Sequence, residues 1–471
     1  MSDNLSAVIT PSPDQVWLEV SPEQVKQSWP LQQEYSYDVA RWTAYKNRLT
    51  LNAFLDWFQA ESGLEEQPQV LPSRDDLPSI WELVNGTAIR VGKTRIVLIP
   101  EAINTDEYEV QAEWIDIPSW AADYYLAVQV NSKDGWLRIW GYTTHKKLKQ
   151  VGEYNRIKRS YSLKREELIE DLNVMWVARE FGCDRQAVIQ SLPNLSLAQA
   201  ETLLTQLSQK TSYSPRLDVS FENWGALLTS DEWRQKLYHR RVANELRQWL
   251  SNAVEMGQNL LEDVWQQVEN IFASPEEIAV RSHKTAERPS TEEIASVIRL
   301  VQPNQREQIR RHAARLLGKI GTGNSDVINV LTELLHSSQN ENTCWQAALS
   351  LGKVDPGNPL AAVKKARLID LKIQSESQAV ALVVAIMPKA DGRIGVFLQV
   401  QAHPETTLPS NLKLTVLSES GETRLEAEAR SDLEGRGQNK SIELRFSPPP
   451  GTYFCVRVTH DNVSVTEDFI A

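Results

Sequence analysis

The spacing of apolar residues predicts an antiparallel α+β unit over residues 1–150. From Asp38 the apolar positions recur with a helical period, and Ser62-Gly63 provides a stop for that helix. Short β-branched or aromatic runs, separated by Gly, Pro, Asn and Asp, then predict strands. These runs cover residues 81–84, 87–91, 94–99, 108–115, 124–130 and 136–142.

The pattern then changes to that of amphipathic helices, and residues 151–272 are predicted to form a helical region. Ser196–Gln199 and Thr229–Glu232 have the spacing of a capping box, in which side chains bind the free amide groups at a helix start. Residues 273–289 lose most large apolar side chains and gain charge. This change of composition predicts a linker.

An internal repeat marks residues 290–365. A shift of 34 residues aligns Leu317-Gly318-Lys319 with Leu351-Gly352-Lys353, and seven of 16 paired positions starting at Ile309 are identical. Each copy is predicted to form a helix, a glycine turn and a second apolar helix. The pattern resembles HEAT-type repeats, although their usual spacing is about 40–47 residues. We therefore predict a short HEAT-like repeat block.

Residues 366–471 alternate with a period of two. Eight short apolar runs are separated by turn sequences such as Pro448–Gly451, which predicts an immunoglobulin-like β-sandwich. The Cys…Trp…Cys signature of true immunoglobulin domains is missing from the segment. The predicted fold class is therefore multidomain α+β: an N-terminal antiparallel α+β unit, a helical region, a short α-helical HEAT-like block and a C-terminal sandwich.

Composition limits the compartment and the partners. The net charge of −12 argues against a surface shaped as a whole for nucleic acid or anionic lipid. The longest apolar run, Ala379–Met387, is far shorter than the about 20 residues of a membrane span. The N-terminus has no signal-peptide pattern, and the three distant cysteines fit reduced thiols. We therefore expect a cytoplasmic protein that does not bind membranes.

No motif indicates catalysis. Gly92-Lys93-Thr94 lacks the earlier glycine of a phosphate-binding loop, because position 87 is threonine. The seven histidines never stand three or four residues apart, and no Cys-x-x-Cys occurs, so we expect no metal site. Cys183 has no flanking reactive motif, and we interpret it as a structural thiol. We expect no cofactor and no enzymatic activity.

A basic stretch from Thr144 to Arg165 is the candidate partner-binding site. It has eight cations against the single acid Glu153, a local charge of +7, with Tyr154 and Tyr161 interleaved. Phosphate contacts with base stacking, or an acidic face of another protein, would each suit this pattern. A solvated connection between two regions is the third interpretation. The cations are Lys146, Lys147, Lys149, Arg156, Lys158, Arg159, Lys164 and Arg165.

Tryptophan is concentrated in the first part of the chain, where 14 of the 15 lie between Trp17 and Trp265. Trp136 and Trp140 are four apart in one predicted strand and therefore share a face, and Trp114 and Trp120 flank a predicted turn. These side chains either fill a core or line a ligand groove. We favour the core, because each buries a large apolar area.

Several segments resemble an uncharacterised cyanobacterial family, the domain-of-unknown-function family numbered eighteen twenty-two. They include Leu137–His145, Leu172–Arg179, Leu246–Leu250 and Leu414–Glu422. The resemblance covers about residues 15–272 and 366–471, and the HEAT-like block reads as an insert. It implies a partner in a signalling assembly and carries over no functional residue.

Three hypotheses for function follow. The leading one is a non-enzymatic cytosolic adaptor or scaffold, in which the repeats and the sandwich bind a protein partner. The alternative is a nucleic-acid-linked regulator that uses the basic stretch at 144–165. The third is an unrecognised enzyme with a site in the N-terminal domain.

Overall fold

The structure is a computed structural model. It contains two compact units, Met1–Val242 and Ala243–Ala471. The linker predicted at 273–289 and the thiol of Cys183 lie outside the described residues. The residues described are 15–30, 34–61, 66–101, 107–181, 185–209, 214–251, 265, 290–371, 379–389, 391–430, 437–461 and 463–471.

The first unit combines sheets and helices, as its apolar patterns predict. Its strands are β1 (Val16–Glu19), β2 (Gln69–Leu71), β3 (Thr87–Val91), β4 (Thr94–Glu101), β5 (Glu107–Gln111), β6 (Tyr124–Asn131), β7 (Trp136–Thr144), β8 (Glu153–Asn155) and β9 (Ser160–Lys164). Its helices are α1 (Pro22–Ser28), α2 (Asp38–Glu61), α3 (Leu77–Trp81), α4 (Glu113–Asp116), α5 (His145–Gln150), α6 (Leu172–Glu180), α7 (Leu197–Leu207), α8 (Phe221–Thr229) and α9 (Asp231–Val242).

The larger sheet of this unit is mixed, in the order β1-β7-β6-β4-β3-β2. Strands β4 and β6 pair in parallel, with Ile96 opposite Tyr124, so the prediction of a purely antiparallel unit is wrong at this pair. Between these strands the chain leaves the sheet to form β5 and α4. Such an excursion supplies the crossover that parallel neighbours require. The other pairs in the sheet are antiparallel.

Helix α2 packs against the larger sheet. Its buried Leu49, Phe54 and Phe58 belong to the same hydrophobic core as residues of β4 and β6. The strand predicted at 81–84 is wrong, because Trp81 is the last residue of α3 and Glu82 and Leu83 form a turn. Pro78 lies in the first turn of that helix, where a proline costs no hydrogen bond, and its carbonyl accepts from the amide of Glu82.

Side-chain caps define several helix starts. The capping boxes at Ser196 and Ser290 are confirmed, with each hydroxyl accepting from the amide three residues on. The box predicted at Thr229 is wrong by one residue. Thr229 ends α8, and the Ser230 hydroxyl accepts from the amide of Trp233 at the start of α9.

The second unit contains two antiparallel sheets and a group of helices. Its strands are β10 (Asn244–Glu245), β11 (Val363–Asp370), β12 (Ala379–Pro388), β13 (Ile394–Gln401), β14 (Lys413–Ser418), β15 (Thr423–Glu428), β16 (Ser441–Phe446), β17 (Tyr453–His460) and β18 (Val463–Ile470). Its helices are α10 (Leu246–Ser251), α11 (Thr291–Arg299), α12 (Glu307–Ile320), α13 (Ser325–Ser337) and α14 (Glu341–Val354).

Seven of the eight strands predicted for the C-terminal part are confirmed as β12 to β18, while the first, predicted at 368–373, overlaps β11 only at 368–370, because β11 begins earlier, at Val363. They form sheets in the orders β11-β12-β13-β16 and β10-β18-β17-β14-β15, and alternate side chains of both sheets share one core. The short strand β10 is the exception to the antiparallel pairing. It pairs in parallel with β18, where Asn244 lies opposite Phe469.

The repeated segments form α12 and α14, which pack against each other and against α13. Gly323 and Gly357 occupy equivalent turns, with φ angles of +71° and +93° that favour glycine. Gly318 permits the close contact of α12 with α14, because a Cβ there would lie 2.7 Å from the Cβ of Ser350. The prediction of two full helical copies is wrong, since the second copy continues into β11 instead of a second helix.

Candidate partner-binding surfaces

The basic stretch folds as a short helix followed by a hairpin. Thr144 caps the start of α5, and its hydroxyl accepts from the amide of Lys147 at 3.2 Å. Strands β8 and β9 form the hairpin, and β9 also pairs with β5 in a three-stranded sheet. Three of the eight predicted site cations therefore lie on α5, three in the turn between β8 and β9, and two where β9 ends.

Four of these cations are bonded within the first unit. Lys149 Nζ lies 2.7 Å from Asp116 Oδ1, and Lys158 Nζ lies 2.8 Å from Glu109 Oε2. The other two donate to backbone carbonyls: Lys147 to Glu167, and Arg159 to Arg216 and Val219. Two of the eight cations are thus paired with carboxylates of the first unit, and two more are held by backbone carbonyls.

The remaining four cations differ in their surroundings. Arg156 and Lys164 are exposed, with no ion pair to any described residue. The guanidinium of Arg165 lies 5.8 Å from the ring centroid of Trp140, within the range of a cation–π contact. Lys146 is partly buried on α5. The role of all eight in partner binding stays a prediction.

A buried ion pair fixes the turn between β8 and β9. Arg216 donates through Nε and Nη2 to the two carboxylate oxygens of Glu113, each at 2.7 Å, and both side chains are buried. The indole of Trp224 donates to the same carboxylate at 2.8 Å. Arg216 also donates to the carbonyls of Lys158 and Arg159 at 2.6 and 2.8 Å. The turn is therefore anchored to the interior through its backbone carbonyls, while the side chains of Arg156, Ile157 and Lys158 remain exposed.

The tryptophans singled out by the sequence mostly fill the core. Trp114, Trp120 and Trp140 are buried, which confirms the core interpretation for these three. Trp140 lies at a β-bulge, since the pairing of β6 with β7 skips from Ile139 to Gly141. The bulge interrupts the alternation of faces, so the spacing of four does not place Trp136 and Trp140 on one face. Trp136 packs on Trp17 instead.

A second basic segment, which the sequence reasoning passed over, lines a groove in the second unit. The groove has a volume of about 370 Å³ and lies beside α12 and the end of α11. Three large apolar side chains stand in it and remain about 40% exposed: Leu300 at 42%, Ile309 at 39% and Leu316 at 43%. Gln308, His312 and Ala313 complete its lining. Helix α12 thus presents one apolar face to the core and a second one outward.

Exposed cations lie close to this apolar floor along the chain. Arg299 ends α11, Arg306 precedes α12, Arg315 and Lys319 lie on α12, and none of the four forms an ion pair with a described residue. Residues 299–320 contain six cations and the single acid Glu307, a net charge of +5. That acid points elsewhere, because its carboxylate binds Arg310, Ser338 and Thr343. The same charge count that selected the stretch at 144–165 would have found this segment.

A model of one protein family matches residues 18–470, and its description reads "Protein of unknown function (DUF1822)". The chain belongs to the DUF1822 family. The match runs through residues 290–365 as well, which the sequence resemblance leaves out as an insert. No curated protein and no solved structure matches the chain.

In the described part of this DUF1822 protein, the helices are too short or too polar to cross a membrane. Its described His, Cys, Asp and Glu residues also form no group that would hold a metal ion. Burial raises the pKa of Cys455 to about 12 and raises the pKa of Cys344 above its ordinary value. Both thiols are therefore protonated at neutral pH, as expected of structural cysteines.

His145 is a buried histidine at the start of α5. Its Nε2 lies 2.8 Å from the carbonyl oxygen of Ile115, and its Nδ1 accepts from the amide of Ala187 at 3.0 Å. The ring is therefore neutral, with its hydrogen on Nε2. Burial lowers the pKa of His145 below its ordinary value of 6.5, although the carbonyl contact opposes the shift.

We expect the first unit of this DUF1822 protein to lose stability in mild acid through His145. The unfolded chain binds a proton near pH 6.5 and the folded ring does not, so the stabilisation is present above pH 6.5 and is lost as the pH falls toward the folded pKa. Urea unfolding followed by tryptophan fluorescence at pH 7.5, 6.5 and 5.5 measures the effect. His145→Gln should flatten the pH dependence, while His239→Gln, at an exposed position, should keep it. Equal slopes in all three proteins would contradict this role.

Proposed function

We propose that this DUF1822 protein is a non-enzymatic cytosolic adaptor that binds another protein, within a regulatory or signalling assembly. The observation that carries the proposal is the groove on α12, whose apolar floor has four exposed cations without ion pairs to described residues close to it along the chain. Further support comes from the architecture, if α11–α14 are read as a HEAT-like block and β11–β18 as an immunoglobulin-like sandwich. Both kinds of module commonly serve as binding platforms.

The groove has the chemistry of a protein interface. When a partner covers exposed large apolar side chains, the free energy of the complex falls. Most of this stabilisation comes from a few central residues. Charges at the rim contribute mainly to the association rate and to the choice of partner. Leu300, Ile309 and Leu316 would supply the first effect, and the nearby cations the second.

The buried carboxylates of the first unit support a role without catalysis. Glu113 is bonded to Arg216 and Trp224, and Glu82 is bonded to Arg241 and Ser36. A general acid or base must reach the proton that it transfers. Both carboxylates are instead closed off from solvent.

Nucleic-acid binding through residues 144–165 is the alternative proposal. The exposed Arg156 and Lys164 favour it, and the internal bonds of Lys147, Lys149, Lys158 and Arg159 weigh against it. The groove at α12 also has an apolar floor that phosphate contacts do not require. Protein binding at the groove therefore has the stronger support.

The test is native co-purification with the full chain and two matched variants. Leu316→Asp places a charge on the groove floor, and Leu197→Asp places one at an exposed leucine of α7. A specific protein partner should be recovered with wild type and Leu197→Asp, before and after nuclease treatment, and lost with Leu316→Asp. Unchanged melting temperatures would show that both variants fold. Recovery of the same partner with Leu316→Asp, or loss of the partner after nuclease treatment, would contradict the proposal.

A further inference from the structure

We infer that the groove on α12 accepts an acidic amphipathic helix of another protein. This inference rests on the proposed adaptor function and specifies the chemistry of its partner. Three features of the groove carry it: the spacing of its apolar side chains, the state of its backbone groups and the sign of its charges.

The apolar side chains have the spacing of helix-to-helix contacts. Ile309 and Leu316 are seven residues apart on α12, which corresponds to two turns and about 10.5 Å along its axis. A partner helix that lies along α12 presents apolar residues at positions i, i+3 or i+4, and i+7 over the same length. Leu300, at the end of α11, widens the floor beside this row and makes a groove of what would otherwise be a ridge.

The groove offers side chains and almost no backbone partners. Its lining residues between Gln308 and Leu316 lie within α12, where amides and carbonyls bond along the helix. An extended peptide would bring its own amides and carbonyls to this apolar floor without acceptors or donors for them, which is unfavourable. A helix satisfies its own backbone and needs only side-chain contacts. The floor therefore suits a helical occupant better than a strand.

The cations near the groove determine the sign of the charge that the partner carries. Lys319 is three residues from Leu316 and Arg315 is three residues from the lining residue His312, so both flank the groove along α12, and Arg299 and Arg306 lie close to Leu300 and Ile309 along the chain. The exposed carboxylates of α11 are in its first turn, at the other end of that helix from Leu300. Aspartate and glutamate residues flanking an apolar stripe would pair with these cations, whereas a basic helix would be repelled.

The experiment measures fluorescence anisotropy of labelled synthetic helices of about 20 residues added to the full chain. One peptide has a leucine stripe flanked by glutamates, a second has the same composition with the leucines scrambled, and a third replaces glutamate by lysine. We expect binding of the striped acidic peptide, and at least about tenfold weaker binding of the other two. Equal binding of striped and scrambled peptides, or no binding, would overturn the inference.

Variants locate the site. Three variants should weaken binding of the striped peptide: Leu316→Asp, the milder Leu316→Ala, and the double variant Arg315→Glu with Lys319→Glu. The charged replacements should weaken that binding by at least about tenfold. Arg156→Glu is the matched control, because it reverses an exposed cation of the basic stretch in the other unit. Weakening by Arg156→Glu alone would place the peptide at residues 144–165 and overturn the inference.

Two other occupants give distinct results. A single-stranded oligonucleotide that competes with the peptide and depends on the same groove residues would indicate nucleic acid instead. A change of oligomeric state on Leu316→Asp, measured by light scattering, would indicate a second copy of the chain. Either result would overturn the inference. If no peptide binds but a native partner is still lost on Leu316→Asp, the adaptor function stands and only the helical, acidic partner is rejected.

Discussion

Replacing Arg216 with methionine is expected to destabilise the first unit by about 3–5 kcal/mol, because it leaves the buried carboxylate of Glu113 without a charge partner. The substitution also removes the donors to the carbonyls of Lys158 and Arg159. At about 2–4 °C per kcal/mol, the unfolding midpoint should fall by roughly 6–20 °C. Tryptophan fluorescence reports mainly on this unit, since twelve of the 15 tryptophans lie in it.

The matched control for Arg216→Met is Lys158→Ala in the same turn. The Lys158–Glu109 pair is 2.8 Å long, but the lysine side chain is largely exposed. Exposed ion pairs contribute about 0–1 kcal/mol, so this variant should unfold almost as wild type does. A loss below about 1 kcal/mol for Arg216→Met would mean that the buried pair does not anchor the turn.

Breaking the pair between Glu82 and Arg241 is expected to have a similar effect at another place in the same unit. Both side chains are fully buried, and Arg241 Nε lies 2.8 Å from Glu82 Oε1. Arg241 also donates to the Leu207 carbonyl at 2.8 Å, and the carboxylate accepts from the amide of Ser36. Glu82→Leu and Arg241→Met should each cost about 3–5 kcal/mol, measured by urea unfolding.

The double variant separates the pair from its surroundings. Glu82→Leu with Arg241→Met leaves no unpaired charge, so its loss should be smaller than the sum of the single losses by about 1–3 kcal/mol. The neighbouring pair of Arg240 and Glu201, which is nearer the surface, provides the control cycle with the same substitutions. Strict additivity at Glu82 and Arg241 would contradict the coupling drawn from the structure.

The sequence was most informative where structure depends on local periodicity. Helix α2 and the strands β12 to β18 follow from residue spacing, because one face of each element must be buried. The sequence did not reveal the parallel pairing of β4 with β6. That contact depends on where the chain rejoins the sheet after the long segment between these two strands. The helix α3 was also missed, because apolar residues around Trp81 fit a short strand as well as a buried helix.

At the candidate sites, the sequence likewise does not reveal which charged side chains are paired in the fold. A sequence displays the cations of residues 144–165 but not their partners, and Arg216 is 103 positions from Glu113. A buried arginine and an exposed one are identical in a charge count. The groove at α12 was missed for a different reason: repeated residues such as Leu317 and Gly318 are buried, while the exposed Ile309 and Leu316 are replaced by Thr and Ser in the second copy.

The pairing of β10 with β18 has a consequence for folding during synthesis. Asn244 and Glu245 reach their sheet partners only after Phe469 and Ile470 have been made, more than two hundred residues later. Helices α11 to α14 contact mostly residues that are close to them in sequence, and their synthesis is complete well before that point. On the ribosome helices α11 to α14 therefore have their partners first, and the sheet closes last, when β18 emerges between β10 and β17.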